Sequence, residues 1–235
     1  MVFRLLEAFR GLFEGTKYEH RRSNLGDYVA SFLFEDLFAI GRSAKLVERI
    51  EAGRSVVNTA NVTVGRHARR GDGTFGDAVP GVASIVVPDC RVHRGRIASI
   101  DIGAETKILA KAMIKQIDRV INDLTKQVAH FRRSNPRAIC VALVGVNHAR
   151  QYLSFEGHRE FPTDGRKYKH PVQEAAEAED RLVRRALPEF DEFILLRFRA
   201  ANTPPYPFEW VSETETRVEY AAALARICRE YEARF

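Results

Sequence analysis

Hydrophobic positions recur at spacings of three and four from Ala110 through Met113, Ile114, Ile117, Val120, Ile121, Leu124 and Val128 to Phe131. That period predicts a long amphipathic helix, stopped by Asn135-Pro136. Shorter helical stripes are expected after Asn24, through Tyr28, Val29, Phe32, Leu33, Leu37 and Phe38, and over 45–52. A further helix starts near Pro171. The last opens on a Ser212/Glu215 capping box and runs almost to Phe235. Near the N-terminus, Val2, Leu5, Leu6, Phe9, Leu12 and Phe13 form one apolar stripe, expected to dock on the core.

Strand patterns lie between these helices. Residues 138–146 are continuously apolar and read as a strand buried on both faces. Phe190 to Phe198 predicts another, and Ala83 to Val87 a short β-branched one ending at Pro88. From Ile97 to Ile108 the chain alternates with period two. Ile100, Ile102, Ala104 and Ile108 take one parity; Ser99, Asp101, Gly103, Glu105 and Lys107 take the other. Residues 65–81, rich in glycine, are expected to be loop. The order of elements indicates an α/β chain: a mixed central sheet of about four strands with helices on both faces.

The alternating strand carries the chemistry. Glu105 and Lys107 share a face, with Asp101 as a third acid on that parity. If 83–87 and 97–108 form a hairpin turning at Arg94-Gly95-Arg96, Asp89 is brought toward Glu105. Two carboxylates can hold a divalent cation, and a neighbouring lysine can orient a water and offset developing charge. That combination points to phosphodiester hydrolysis.

Pro88-Asp89 followed by Glu105-Thr106-Lys107 resembles the signature of the PD-(D/E)xK nuclease superfamily, with its restriction-endonuclease-like fold. The resemblance covers roughly 24–147, where the alternating strand, long helix and apolar strand follow that fold's core order. It implies a Mg²⁺-dependent DNA endonuclease, with Mn²⁺ as a substitute, like a type II restriction enzyme or a phage-defence nuclease. Asp89 and Glu105 would hold the ion with the Thr106 carbonyl, and Lys107 would position water. It also implies Glu35, on an early helix, and Gln116, on the long helix, as site residues. Glu48 and Glu51 are alternatives to Glu35. Two other readings share these residues: an effector nuclease switched on by a small molecule or by oligomerisation, and a nucleic-acid-binding module without turnover.

Charge changes this picture modestly. A net charge of +6 and a pI near 9.4 suit a polyanion such as double-stranded DNA. Arg66, Arg69 and Arg70 in the glycine-rich segment, and Lys111 and Lys115 on the long helix, are the candidate phosphate contacts. Cutting both strands of a duplex needs two sites, so a homodimer is expected. The three cysteines have no zinc spacing, which fits reduced thiols in a cytoplasmic protein. No stretch approaches the ~20 apolar residues of a membrane span. The chain divides as one nuclease domain over 1–235: a docking helix and linker over 1–22, a catalytic core over 24–147, and a strand-helix extension over 148–235.

Overall fold

The computed structural model describes residues 2–19, 24–58, 71–111, 113–154, 160–161 and 171–235. Its helices are α1 (Arg4–Gly11), α2 (Leu25–Ile40), α3 (Ala44–Glu51), α4 (Met113–Ser134), α5 (Pro171–Arg185) and α6 (Glu213–Arg234). Its strands are β1 (Ser55–Asn58), β2 (Gly73–Asp77), β3 (Arg94–Gly95), β4 (Ile102–Leu109), β5 (Ile139–Asn147), β6 (Tyr152–Leu153), β7 (Glu160–Phe161), β8 (Glu192–Arg199) and β9 (Glu209–Trp210).

The central sheet has seven strands in the order β3-β1-β2-β4-β5-β8-β9. The expectation of about four is therefore corrected. β4, β5 and β8 run parallel, while β2 is antiparallel to β1 and β4, and β9 to β8. Sequence reading missed β1, β2, β3 and β9 because none has a long apolar or alternating run. β6 and β7 form a separate two-stranded ribbon.

One face of the sheet packs against α1, α2, α3 and α6 through Phe9, Leu33, Phe34, Leu46 and Leu224. The other packs against α4 and α5 through Ile117, Leu124, Ala178 and Leu182. β5 is buried along its whole length, as expected of a strand between two helical layers. No helix among the described residues is long and apolar enough to cross a membrane.

The strand beside β4 is β2, drawn from the segment expected to be loop. Its glycines serve close approach instead of turning. A Cβ on Gly73 would lie 2.9 Å from the Ala30 Cβ of α2, and one on Gly76 would lie 2.0 Å from the Ser99 carbonyl oxygen. The residues expected to form that neighbour, 83–87, make only an isolated bridge between Ile85 and Arg94. Ile85 and Val86 are 59% and 66% exposed. Without a helical layer over them, their β-branched side chains have nothing to pack against, and propensity alone does not make a strand.

Two buried carboxylates, Asp101 and Asp36, tie helices to the sheet and to one another. Arg49 of α3 pairs with Asp77 at the end of β2 and, at 3.0 Å, with buried Asp101 just before β4. The Tyr231 hydroxyl of α6 also donates to Asp101. On α2, Asp36 accepts from the Arg4 and Leu5 amides at the start of α1 and from the Tyr220 hydroxyl of α6. One carboxylate thereby caps α1 from another helix. Burial pushes the Asp36 carboxyl above its usual range, against the pull of these donors.

Candidate active site

β2 pairs with β4 only over the first part of the longer strand, ending with Gly73 opposite Ala104. Beyond Ala104, β4 continues as Glu105–Leu109 with β5 on its other side. The result is a notch at the start of β2, and Asp72 sits at its corner. The Asp72 carboxylate accepts the Thr106 amide at 2.8 Å. Gly26, in the first turn of α2, lies so close that a Cβ there would be 2.8 Å from the Asp72 carboxyl carbon.

The notch opens into a polar cleft of about 310 Å³. Asp72 and Thr106–Leu109 form its floor; Tyr18, Leu25 and Gly26 line one side and Gln116, Arg119 and Asp123 of α4 the other. The α4 positions follow from helical geometry, since residues three and four apart share a face.

Glu105 and Lys107 project toward α4. The space above Gly103, two residues earlier, is filled by Phe131 of α4. The Lys107 ammonium donates to Glu105 Oε1. Burial, then repulsion from Asp72, pushes the Glu105 carboxyl up to about 7 despite Lys107. Burial acts against the Lys107 charge, but Glu105, Asp72 and Asp123 together outweigh it and hold the amine above its ordinary value. Lys107 is therefore a cation near neutral pH. The Thr106 hydroxyl is buried without a hydrogen-bond partner.

Of the residues read from the sequence, the structure brings Thr106, Lys107 and Gln116 to one cleft, with Glu105 bonded to Lys107 beside it. It places Asp89 elsewhere. The hairpin expected to deliver that aspartate to β4 does not form, because β3 pairs with β1 and both β1 and β2 intervene before β4. Asp89 is exposed with φ +60°, and its carbonyl accepts from Arg4.

Glu35 is not at the cleft either. It accepts the Arg91 and Val92 amides at 2.9 and 3.0 Å and pairs with Arg4, pinning the irregular chain around Asp89. Asp101 bonds to Arg49 and Tyr231, because the chain bends before β4 and breaks the expected parity. Glu48 pairs with Arg54. Glu51 lines a separate pocket with Arg91 and His93. Lys111 meets the site through its carbonyl, which accepts from Gln116 Nε2 at 3.5 Å. Lys115 is exposed on α4. Arg66, Arg69 and Arg70 lie outside the described residues.

Sequence reading missed Asp72, Arg119 and Asp123. The Asp72 signal was hidden in a Gly-Asp-Gly triplet that reads as a turn. The α4 pair was visible as polar residues spaced along one helix face, Arg119 about one turn and Asp123 about two turns after Gln116.

Among the described residues, no three His, Cys, Asp or Glu side chains converge as a preformed metal cage. The donor set at the notch is two carboxylates and a strand edge. No protein-family model matches the chain, and neither does any curated protein or solved structure.

Proposed function

We propose that this protein is a divalent-metal-dependent nuclease that hydrolyses phosphodiester bonds in DNA, with Asp72, Glu105 and Lys107 as its central residues. The observation that carries this reading is the gathering of these three groups where β4 loses its β2 neighbour, with Asp72 and Lys107 lining an open polar cleft and Glu105 bonded to Lys107. It is the acid-acid-lysine set implied by the PD-(D/E)xK resemblance, with Asp72 in the place first read for Asp89.

The residues fit Mg²⁺. Two neighbouring carboxylates, one of them pushed up to about 7 by burial and then by the other, are a pair that a divalent cation satisfies. Magnesium is held through one or two carboxylates, with water and phosphate oxygens completing its shell, and needs no all-protein cage. In an extended strand a residue's N–H and C=O face the same edge, so the Thr106 carbonyl faces the notch with the amide that Asp72 holds. Asp72, Glu105 and this carbonyl would bind the ion, with Mn²⁺ as a substitute. The bound ion supplies Lewis-acid stabilisation of the charge that develops on the phosphoryl group.

Lys107, held as a cation, orients the attacking water through its N–H donors and offsets negative charge in the transition state. It is a poor general base in that state, so the proton leaves to solvent or substrate oxygen.

Plasmid DNA incubated with Mg²⁺ or with EDTA tests the reading. Wild type should cut only with Mg²⁺, Asp72→Asn and Lys107→Ala should lose cleavage at least a hundredfold (on the order of the loss of a catalytic group), and Asp89→Asn should still cut. Cleavage that survives Asp72→Asn but not Asp89→Asn overturns the assignment. Discrete fragments mean sequence-specific cutting; a smear means a broad effector nuclease; binding without turnover means a binding module.

A further inference from the structure

Arg119 stands out among the cleft residues. Many of the chain's arginines are neutralised: Arg49, Arg181, Arg197, Arg226 and Arg234 each face a carboxylate at 3.0 Å or less. Arg119 makes no ion pair among the described residues. Its hydrogen-bond partner is Gln116, whose Oε1 accepts from the guanidinium at 3.3 Å. Gln116 is itself tethered through Nε2 to the Lys111 carbonyl. The relay from just before α4 through Gln116 holds a charged, exposed fork at the cleft that Asp72 also lines.

We propose that Arg119 is the substrate-phosphate anchor of this cleft, with Gln116 as its positioning residue. The inference rests on the nuclease reading and extends it to how substrate is held. A guanidinium presents five donors in a planar fork that matches a phosphate's oxygens. The Gln116 contact uses one terminal nitrogen and leaves donors for a ligand. The cleft is the wrong sign for a phosphodiester without help: Asp72 and Asp123 line it beside one lysine already committed to Glu105. A cation lining the same cleft offsets that repulsion. Arg119 lies one turn from Lys115 on α4, and the two could follow one strand's phosphates.

The test measures binding apart from cleavage. A fluorescein-labelled DNA duplex is titrated with wild type, Arg119→Ala, Arg119→Lys, Gln116→Leu and, as a charge-loss control, Arg133→Ala, in Ca²⁺ over a series of salt concentrations. Arg133 is exposed near the other end of α4. Arg119→Ala should raise Kd about tenfold, the weight of one charge-assisted contact. It should also lower the salt slope by about one released counterion. Arg119→Lys should restore the slope but only part of the affinity. Gln116→Leu should weaken binding with the slope unchanged, because it loosens the fork and keeps the charge. Arg133→Ala should behave as wild type.

Wild type that binds and cuts while Arg119→Ala matches it in Kd and slope overturns the anchor and leaves the nuclease reading standing. An equal loss in Arg133→Ala overturns it too, by reducing the effect to net charge. Wild type that binds no DNA overturns both.

Discussion

At Glu105, burial and a neighbouring carboxylate oppose the charged form. Burial and the neighbouring Asp72 push its carboxyl up to about 7 in the folded protein, above an ordinary glutamate. The proton is therefore held more tightly in the folded than in the unfolded chain. Its contribution to stability is complete below the unfolded value and is lost as pH rises through about 7. In EDTA, thermal denaturation of wild type should show stability falling from about pH 4.5 to about pH 7 and levelling off above it. Glu105→Gln should remove that fall and be more stable at the upper pH, by up to roughly 3 kcal/mol, while losing cleavage. Parallel pH profiles for the two proteins would contradict the assignment. Glu105 and Lys107 were legible at this scale because strand alternation puts i and i+2 on one face whatever the fold. Asp72 was not. Its place depends on which strand lies beside β4, and that is a long-range choice made by packing of α2 against glycines.

Among the elements, α4 and β4 are fitted to each other at one point. The Phe131 ring fills the space where a Gly103 side chain would stand, with ring carbons 2.5 Å from an added Cβ. Gly103→Ala should therefore cost about 1–3 kcal/mol by overpacking, seen as a lower urea midpoint. Combining it with Phe131→Leu should recover part of that loss, whereas additive losses would mean the two do not touch. Helices such as α4 were readable because an amphipathic stripe reports burial directly. β5 was readable because a strand covered on both faces has no polar positions to spare. β2 carries Phe75 as its one large apolar side chain, and its other positions are small so that α2 and the Ser99 carbonyl can come close. A strand chosen for what it leaves empty gives no hydrophobic signal. The segment 83–87 gave the signal without the partner, since Ile85 and Val86 are left exposed.

Across the whole molecule, the sheet is held in register by charges as well as by its core. Arg49 reaches Asp77 and Asp101 together, with the Asp101 side chain almost fully enclosed. Arg49→Met should leave that carboxylate buried and unpaired and cost about 3–5 kcal/mol, measured as a fall in Tm. A change within a few tenths of a kcal/mol, the scale of an exposed pair, would mean the clamp is superficial. The same clamp has a further consequence. Asp77 ends β2 and Asp101 precedes β4, so the excursion between them, which adds β3 to the sheet's edge on the way, starts and finishes at a single guanidinium. The long excursion between them is a closed detour. Its length is uncoupled from the distance between Asp72 and Glu105, because both ends are fixed at one anchor. Proteins that share this site can thus be expected to differ freely in the number of residues separating the aspartate from the glutamate, and a search written around a fixed gap would pass them by.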